Sequence, residues 1–186
     1  MRTTSANLLD KRFLDRWSPR SFLPDPVPAD ALQAIFEAAR WSPSCFNAQP
    51  WRFVYATEGQ HKENLLEALV ESNRSWARQA PVIAYAFSYN IFDHNNKTNR
   101  WAEFDTGAAW MALALQANHL GFHTHAMGGF DVDKAFEACG MDAAKHTALC
   151  GIVIGKAGPE ERLEESLRSR EQPSDREDID KMLVRL

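Results

Sequence analysis

Near the start of the chain, two arginines flank a hydroxyl group in a pattern that could bind an anion. The segment R-W-S-P-R occupies residues 16–20, so Arg16 and Arg20 lie on either side of Ser18, and Pro19 stiffens the turn. Arginine binds phosphate through paired N–H donors, and the segment is therefore a candidate anion clamp. Taken alone, the same residues are explained equally well as a basic helix end that complements the helix dipole.

A second candidate is the polar loop P-S-C-F-N-A-Q-P-W at residues 43–51. Ser44, Asn47 and Gln49 offer hydrogen-bond donors and acceptors that match the mixed edge of a uracil-like ring, with its carbonyls and N–H. An ordinary polar connection is the alternative, because Ser, Asn and Pro are common in turns. The length of the loop and its amides favour the binding interpretation. Nothing basic flanks Cys45, which is interpreted as a pocket-lining thiol and not as a nucleophile.

The third candidate is M-G-G-F-D at residues 127–131. Paired glycines let backbone N–H groups approach a ligand closely, and Asp131 is suited to cap a following helix. On its own, such a pair most often marks only a turn. His119, His123 and His125 lie close together, but no carboxylate or cysteine joins them at a ligand spacing, so no metal site is predicted. The chain has no G-x-G-x-x-G after a strand, which argues against a Rossmann domain for a nicotinamide.

Helix and strand patterns alternate along the chain and would position these three segments. Leu8, Leu9, Phe13 and Trp17 suit one face of an opening helix. Apolar spacing predicts the further helices Pro28–Ala39, Lys62–Asn73 and Phe104–Leu120, the last buried on most sides. Apolar runs bounded by turn residues predict the strands Trp51–Ala56, Pro81–Tyr89 and Thr147–Gly155.

Composition indicates one soluble globular domain spanning residues 1–186. Hydrophobic residues make up 45% and charged residues 25%, and the net charge of −4, with both signs scattered, does not predict a nucleic-acid partner. Residues 1–12 lack the apolar stretch of a signal peptide, and no apolar run reaches membrane-spanning length. Three widely separated cysteines argue against a disulfide framework, and a reducing cytoplasm is expected.

The tail from residue 159 to 186 is charged and then ends on an apolar tip at residues 179–184. An apolar tip beyond a charged arm predicts a segment that docks, and another subunit is a candidate partner.

The three segments together resemble the nitroreductase family of FMN-dependent oxidoreductases. The resemblance runs through R-W-S-P-R, A-A-R-W-S-P-S-C-F-N-A-Q-P-W, M-G-G-F-D and the C-terminal P-S-D-R, in the expected order over nearly the whole chain. It implies an α+β fold, with a central mixed sheet wrapped by helices. It also implies an obligate homodimer that holds FMN at its interface, with each C-terminal arm wrapping the partner and adding a strand to its sheet.

The resemblance assigns roles to individual residues. It implies that Arg16 and Arg176 bind the phosphate, although Arg168 or Arg170 could replace Arg176. It also implies that Ser18 lies beside the phosphate and the ribityl chain, and that Trp17 is among the cofactor-binding residues. Arg20 would lie at the N1–C2=O edge of the flavin and stabilise the negative charge of the reduced ring.

The remaining roles concern the flavin ring. The resemblance implies that Asn73 contacts the pyrimidine ring and that backbone N–H groups of Gly128 and Gly129 point toward N5 and O4. The other subunit would supply the residues Pro43, Ser44, Cys45 and Asn47, with Gln49 behind them. Some members carry a lysine where this chain has Trp76, which leaves Arg20 as the lone cation near N1, and the short segment Asn90–Arg100 implies an open pocket.

The implied activity is ping-pong transfer of hydride from NADH or NADPH through FMN to a nitroaromatic, quinone or related small acceptor. Two alternatives stay open on the sequence: a non-catalytic protein that stores or senses flavin, and a flavin-destroying or dehalogenating relative of the same fold. The sequence does not identify the acceptor or choose between the two nicotinamides.

Overall fold

The computed structural model describes residue 4 and residues 8–186. Residues 1–3 and 5–7, part of the opening segment that was predicted to lack a signal peptide, lie outside the described residues. The helices are α1 (Arg12–Asp15), α2 (Ala29–Arg40), α3 (Gly59–Glu67), α4 (Glu71–Ala77), α5 (Ala102–His119), α6 (Val132–Cys139) and α7 (Glu165–Arg168). The strands are β1 (Trp51–Ala56), β2 (Val82–Tyr89), β3 (His123–Met127) and β4 (His146–Gly155).

The four strands form one sheet in the order β1-β2-β4-β3. All three pairings are antiparallel, and the β2–β4 register shifts between Ala86 and Phe87. The predicted α+β class is confirmed. The mixed character expected of the sheet is not found among the described strands of one chain, and it would depend on a strand from a partner's arm, which stays a prediction.

Helices cover both faces of the sheet because β2 is apolar on both sides. Along β2, Ile83, Tyr85 and Phe87 pack into a core with α3, α4 and α6, while Ala84 and Ala86 pack into a second core with α2 and α5. The two cores account for the three-layer arrangement. None of the helices in the described part of the chain combines the length and apolar content needed to span a bilayer.

The sequence predicted the three long apolar strands, α2 and α5 to within two residues. Asp131 caps α6 as expected, because its side chain accepts the backbone N–H of Lys134 at 3.1 Å. Helix α5 buries seven residues, but Phe104 on it is 75% exposed, so burial on most sides is only partly correct. The polar strand β3 was missed.

Two helix predictions were wrong in extent. The opening helix covers only α1, because the backbone turns extended at Arg16, and Leu8 remains fully exposed. The helix expected over Lys62–Asn73 is two helices, α3 and α4. The break occurs because Leu69 forms a β-bridge with Phe130, and the Val70 N–H donates to the Gly129 carbonyl at 3.2 Å.

The tail does not leave the body of its chain at residue 159. Leu163 is buried in the core, and Glu171 bonds to the backbone of residues 20 and 21. The apolar tip is exposed, with Met182 68% and Val184 86% accessible to solvent. The arm that could reach a partner therefore begins after Glu171.

Candidate functional site

A cavity of about 1080 Å³ lies between the turn at residues 16–20, strand β3 and the tail. It is lined by Arg16, Trp17, Ser18 and Arg20, all predicted as site residues. Its further lining residues are Lys11, Leu14, Asp15, His125, Ser169, Arg170, Gln172, Pro173, Ser174, Asp175 and Arg176. The lining includes five cationic side chains and two carboxylates, so the cavity favours an anion.

The backbone of the arginine turn is fixed by the tail. Both oxygens of Glu171 accept the Arg20 N–H, at 2.9 and 3.0 Å, and Oε1 also accepts the Ser21 N–H at 2.8 Å. The Ser21 hydroxyl donates to the Pro159 carbonyl at 2.7 Å. We call this set of contacts the tail clasp. It leaves the Arg20 guanidinium without a partner among the described side chains, at the cavity wall.

The structure separates the three tail arginines that the sequence left as alternatives. Arg168 bonds the carbonyls of Leu163, at 2.9 Å, and Glu161, at 3.2 Å, and it does not line the cavity. Arg170 and Arg176 both line it. Arg176 is folded onto its own segment, since its Nη1 donates to Ser174 and Asp175.

His125 lines the cavity, although the sequence did not predict it as a site residue. It was considered there only as one of three histidines for which no metal site is predicted. Its Nδ1 lies 2.8 Å from the Pro19 carbonyl, and its ring packs on Trp76 at a centroid distance of 4.7 Å. Burial, and to a lesser extent the positive charges of Arg20 and Arg16, lower the pKa of His125 to about 4. The ring is therefore neutral at neutral pH. No local sequence pattern predicts that His125 lies against the arginine turn, because its contact with Pro19 spans 106 positions.

Asn73 and the paired glycines meet at the break between α3 and α4. The Asn73 amide donates to the Gly129 carbonyl at 3.0 Å. A Cβ at Gly129 would lie 2.7 Å from Asn73 Nδ2 and 2.9 Å from Val70, whereas a Cβ at Gly128 would meet nothing within 4 Å. Gly129 is thus required for close packing, and the backbone at Gly128 faces open space.

The polar loop at residues 43–49 is held from inside. The buried carboxylate of Asp105, on α5, accepts the Cys45 N–H at 3.0 Å. The Ser44 hydroxyl accepts the Gln49 N–H at 3.0 Å, and the Gln49 amide donates to the Asn47 carbonyl at 3.0 Å. The side-chain amide of exposed Asn47 has no partner in the described part of the chain, so it is available to a ligand.

Three non-glycine residues of this loop adopt left-handed backbone angles: Phe46 at φ 52°, Asn47 at φ 54° and Gln49 at φ 48°. Such angles cost free energy for L residues and concentrate at functional sites. Phe46 is also 80% exposed, with its ring edge-on to Phe92 at 5.8 Å. Local stability alone does not explain an exposed aromatic residue in this conformation.

The structure therefore brings together the arginine turn, His125 and two tail arginines. It does not bring the loop at residues 43–49 to the same cavity, because none of those loop residues lines it. Asn73, Gly128 and Gly129 are also not among the residues that line the cavity. Among the described residues, no group of three or more His, Cys, Asp or Glu side chains could hold a metal ion.

Comparisons with known proteins identify the family of the chain. The chain matches the model of the nitroreductase family over residues 14–75 and 69–156. A solved structure described as an oxidoreductase containing FMN superposes with a TM-score of 0.93 at 37% identity, covering 98% of this chain and 93% of that chain. A Stenotrophomonas maltophilia protein assigned as an NADH dehydrogenase/NAD(P)H nitroreductase is 33% identical over 154 residues, or 72% of this chain and 79% of that protein. A Streptomyces coelicolor protein of the same assignment is 31% identical over 171 residues, or 79% and 82% of the two chains.

Proposed function

Because this chain belongs to the nitroreductase family, a family of oxidoreductases, we propose that it uses FMN to transfer hydride from NADH or NADPH to a small acceptor. Nitroaromatic, quinone or related compounds are the acceptor class. The family predicted from the sequence motifs is confirmed by the family model and the relatives. The observation that carries the proposal is the cationic cavity formed by the arginine turn and the tail.

The donor set of the cavity fits a flavin phosphate. Arg16, Ser18 and a tail arginine, Arg170 or Arg176, offer guanidinium and hydroxyl donors on one wall. Paired N–H donors of arginine match phosphate oxygens, and the surplus of cationic lining residues offsets the charge of a phosphate.

FMN held by these residues would supply the redox chemistry for a ping-pong transfer of hydride from NAD(P)H to the acceptor. The Arg20 guanidinium, at the cavity wall, would stabilise negative charge at the N1–C2=O edge of the ring. Gly128, where an added Cβ would meet nothing within 4 Å, would let backbone N–H groups approach the opposite edge. Asn73, whose amide donates to the Gly129 carbonyl, would contact the pyrimidine ring. No side chain of the site has to act as an acid or base.

We further propose that the site is completed by a second copy of the chain. The loop at residues 43–49 keeps a free amide at Asn47 outside its own cavity, which suits a site on a partner. Strand β1 is at the edge of the sheet, next to a groove of about 630 Å³ that includes the aromatic residues Phe36, Phe53 and Tyr55. That groove would receive the partner's apolar tip. Free thiols at Cys45, Cys139 and Cys150 agree with a reducing cytoplasm.

The function is tested on purified protein. We expect a yellow protein with about one non-covalent FMN per subunit and turnover of NAD(P)H with a quinone or nitroaromatic. Binding of FMN without turnover of NAD(P)H would support the alternative of a non-catalytic protein that stores or senses flavin. Loss of the flavin itself, or release of halide from a halogenated acceptor, would identify the flavin-destroying or dehalogenating alternative. A colourless protein that takes up no added FMN would refute the proposal.

Two substitutions separate the roles of the turn arginines. Arg20→Met should lower the two-electron midpoint potential of bound FMN by tens of millivolts. Loss of one charge contact of about 1.4 kcal/mol corresponds to about 30 mV for two electrons. Arg16→Met should weaken FMN binding and change the potential less. Arg168→Met is the matched control, since that guanidinium bonds carbonyls outside the cavity. An unchanged potential in Arg20→Met would show that Arg20 does not contact the N1–C2=O edge.

The dimer is tested by deleting residues 177–186, which keeps every residue of the cavity lining. Exposure of the tip is unfavourable by roughly 25 cal/mol per Å² of apolar surface. Sedimentation of the deleted protein should show monomer or aggregate, together with loss of FMN. Leu183→Ser should weaken the dimer, whereas Lys181→Ser, at an exposed ion pair of little value, should not. An intact FMN-loaded dimer after deletion would contradict the proposal.

A further inference from the structure

His125 stands where the inner wall of the cavity meets the arginine turn. Its Nδ1 lies 2.8 Å from the Pro19 carbonyl, in the middle of that turn, and its ring packs against the buried ring of Trp76. Both contacts fix the imidazole, so its orientation does not depend on a ligand.

The contact with Pro19 determines the tautomer. A carbonyl oxygen only accepts hydrogen bonds, so Nδ1 must carry the proton. In a neutral imidazole the other nitrogen, Nε2, is then an acceptor. Nε2 has no partner among the described residues, and His125 is one of the residues that line the cavity.

An acceptor at this position contrasts with its surroundings. Of the other half-buried polar residues of the cavity lining, Arg16, Trp17 and Arg20 are donors only. Ser18 can accept, but its hydroxyl already faces Arg16 Nη1 at 3.4 Å. The arginines can bind phosphate oxygens and ring carbonyls, yet they cannot accept a hydrogen bond from a ligand hydroxyl. Nε2 of His125 can.

We propose that His125 is a ligand-binding residue that accepts a hydrogen bond from a hydroxyl of a bound sugar-alcohol phosphate, while its Nδ1–H fixes the turn of Arg16 and Arg20. The proposal rests on the proposed function, in which that polyol is the ribityl chain of FMN. The imidazole thus recognises the part of the cofactor between the phosphate and the ring.

Three flavins distinguish this role from a structural one. FMN has phosphate and hydroxyls, riboflavin has only the hydroxyls, and lumiflavin has neither. Their dissociation constants are measured by quenching of flavin fluorescence in wild-type protein and two variants. His125→Asn places an amide donor near the position of Nδ1 and removes Nε2, whereas His125→Gln can place an acceptor near the position of Nε2.

We expect His125→Asn to weaken FMN and riboflavin by about tenfold each, equivalent to about 1.4 kcal/mol, and to leave lumiflavin within about twofold. His125→Gln should retain FMN binding within about threefold. Arg16→Met is the contrasting control, because it should weaken FMN much more than riboflavin.

Equal weakening of all three flavins in His125→Asn would overturn the proposal, since it would show a general change of the pocket. Unchanged FMN and riboflavin binding in that variant would also overturn it. Wild-type protein that binds none of the flavins would instead refute the proposed function. If His125→Asn does not fold, His125→Gln decides, because loss of riboflavin binding in a folded Gln variant contradicts the acceptor role.

Discussion

Replacing Glu171 by alanine tests whether the tail clasp holds the arginine turn. The carboxylate accepts the backbone N–H groups of Arg20 and Ser21, and Ser21 is fully buried. Alanine removes both oxygens and leaves the two N–H groups without their acceptor. Hydrogen bonds to a charged group contribute about 1.5–3 kcal/mol each. Since water can reach the half-buried Arg20, we expect the free energy of unfolding to fall by about 3 kcal/mol.

Two further variants make the magnitude specific. Glu171→Gln keeps one carbonyl oxygen for one of the two N–H groups but loses the charge, so we expect a cost of about 1–1.5 kcal/mol. Glu165→Ala is the matched control in the same tail, because Glu165 is an exposed side chain on α7. Surface changes of that kind cost no more than about 0.5 kcal/mol.

Urea unfolding followed by far-ultraviolet circular dichroism gives the three values. A single protomer concentration is needed, because association stabilises the folded state by mass action. For a chain of this size, the Glu171→Ala cost corresponds to a fall in Tm of about 6–12 °C. FMN affinity should fall in the same order, alanine more than glutamine. Equal stability of Glu171→Ala and Glu165→Ala would refute the reasoning, because the clasp would then contribute nothing in solution.

Two other predictions concern backbone strain and pH. At position 46, glycine should be more stable than alanine by about 1 kcal/mol, because φ is left-handed there. At Ala48, which has right-handed angles, glycine should be less stable by about 0.5 kcal/mol, and the same preference at both positions in urea unfolding would contradict the geometry. Because folding lowers the pKa of His125 to about 4, the unfolded chain binds more protons between pH 6.5 and 4. The contribution of His125 to the free energy of unfolding is complete above pH 6.5. It is lost as pH falls toward 4, by no more than about 3 kcal/mol. His125→Asn should remove the His125 part of this pH dependence, whereas the part due to His123, whose pKa is also lowered by burial, should remain.

Local patterns predicted those parts of the fold in which the chain's own periodicity decides the structure. β2 and β4 are apolar runs bounded by turn residues, and both were found at nearly the expected bounds. β3 was missed because two of its five residues are histidines, and its pairing with β4 comes from the sheet and not from its own composition. The break between α3 and α4 depends on the bridge from Leu69 to Phe130, which no local pattern records.

The site residues also fall into two groups, those that local sequence predicts and those that long-range contacts position. Arg16, Ser18 and Arg20 were found because they are adjacent in sequence, and the structure places them in one cavity. Glu171 and His125 were not found, since their contacts with the turn span 151 and 106 positions. Arg168 could be separated from Arg170 and Arg176 only in the structure, because its guanidinium bonds carbonyls outside the cavity.

The tail clasp has a consequence for how cofactor binding and subunit association depend on each other. Glu171 anchors the tail to its own chain, and residues 172–176 then line the cavity before the exposed tip begins. In the proposed dimer, this short segment connects a fixed point on one subunit to a docked point on the other. When FMN orders this segment, less conformational entropy is lost when the tip docks on the partner. Docking of the tip, in turn, reduces the entropy lost when FMN binds. Because such coupling is reciprocal, the apparent affinity for FMN should rise with protein concentration, and dilution alone should release the flavin.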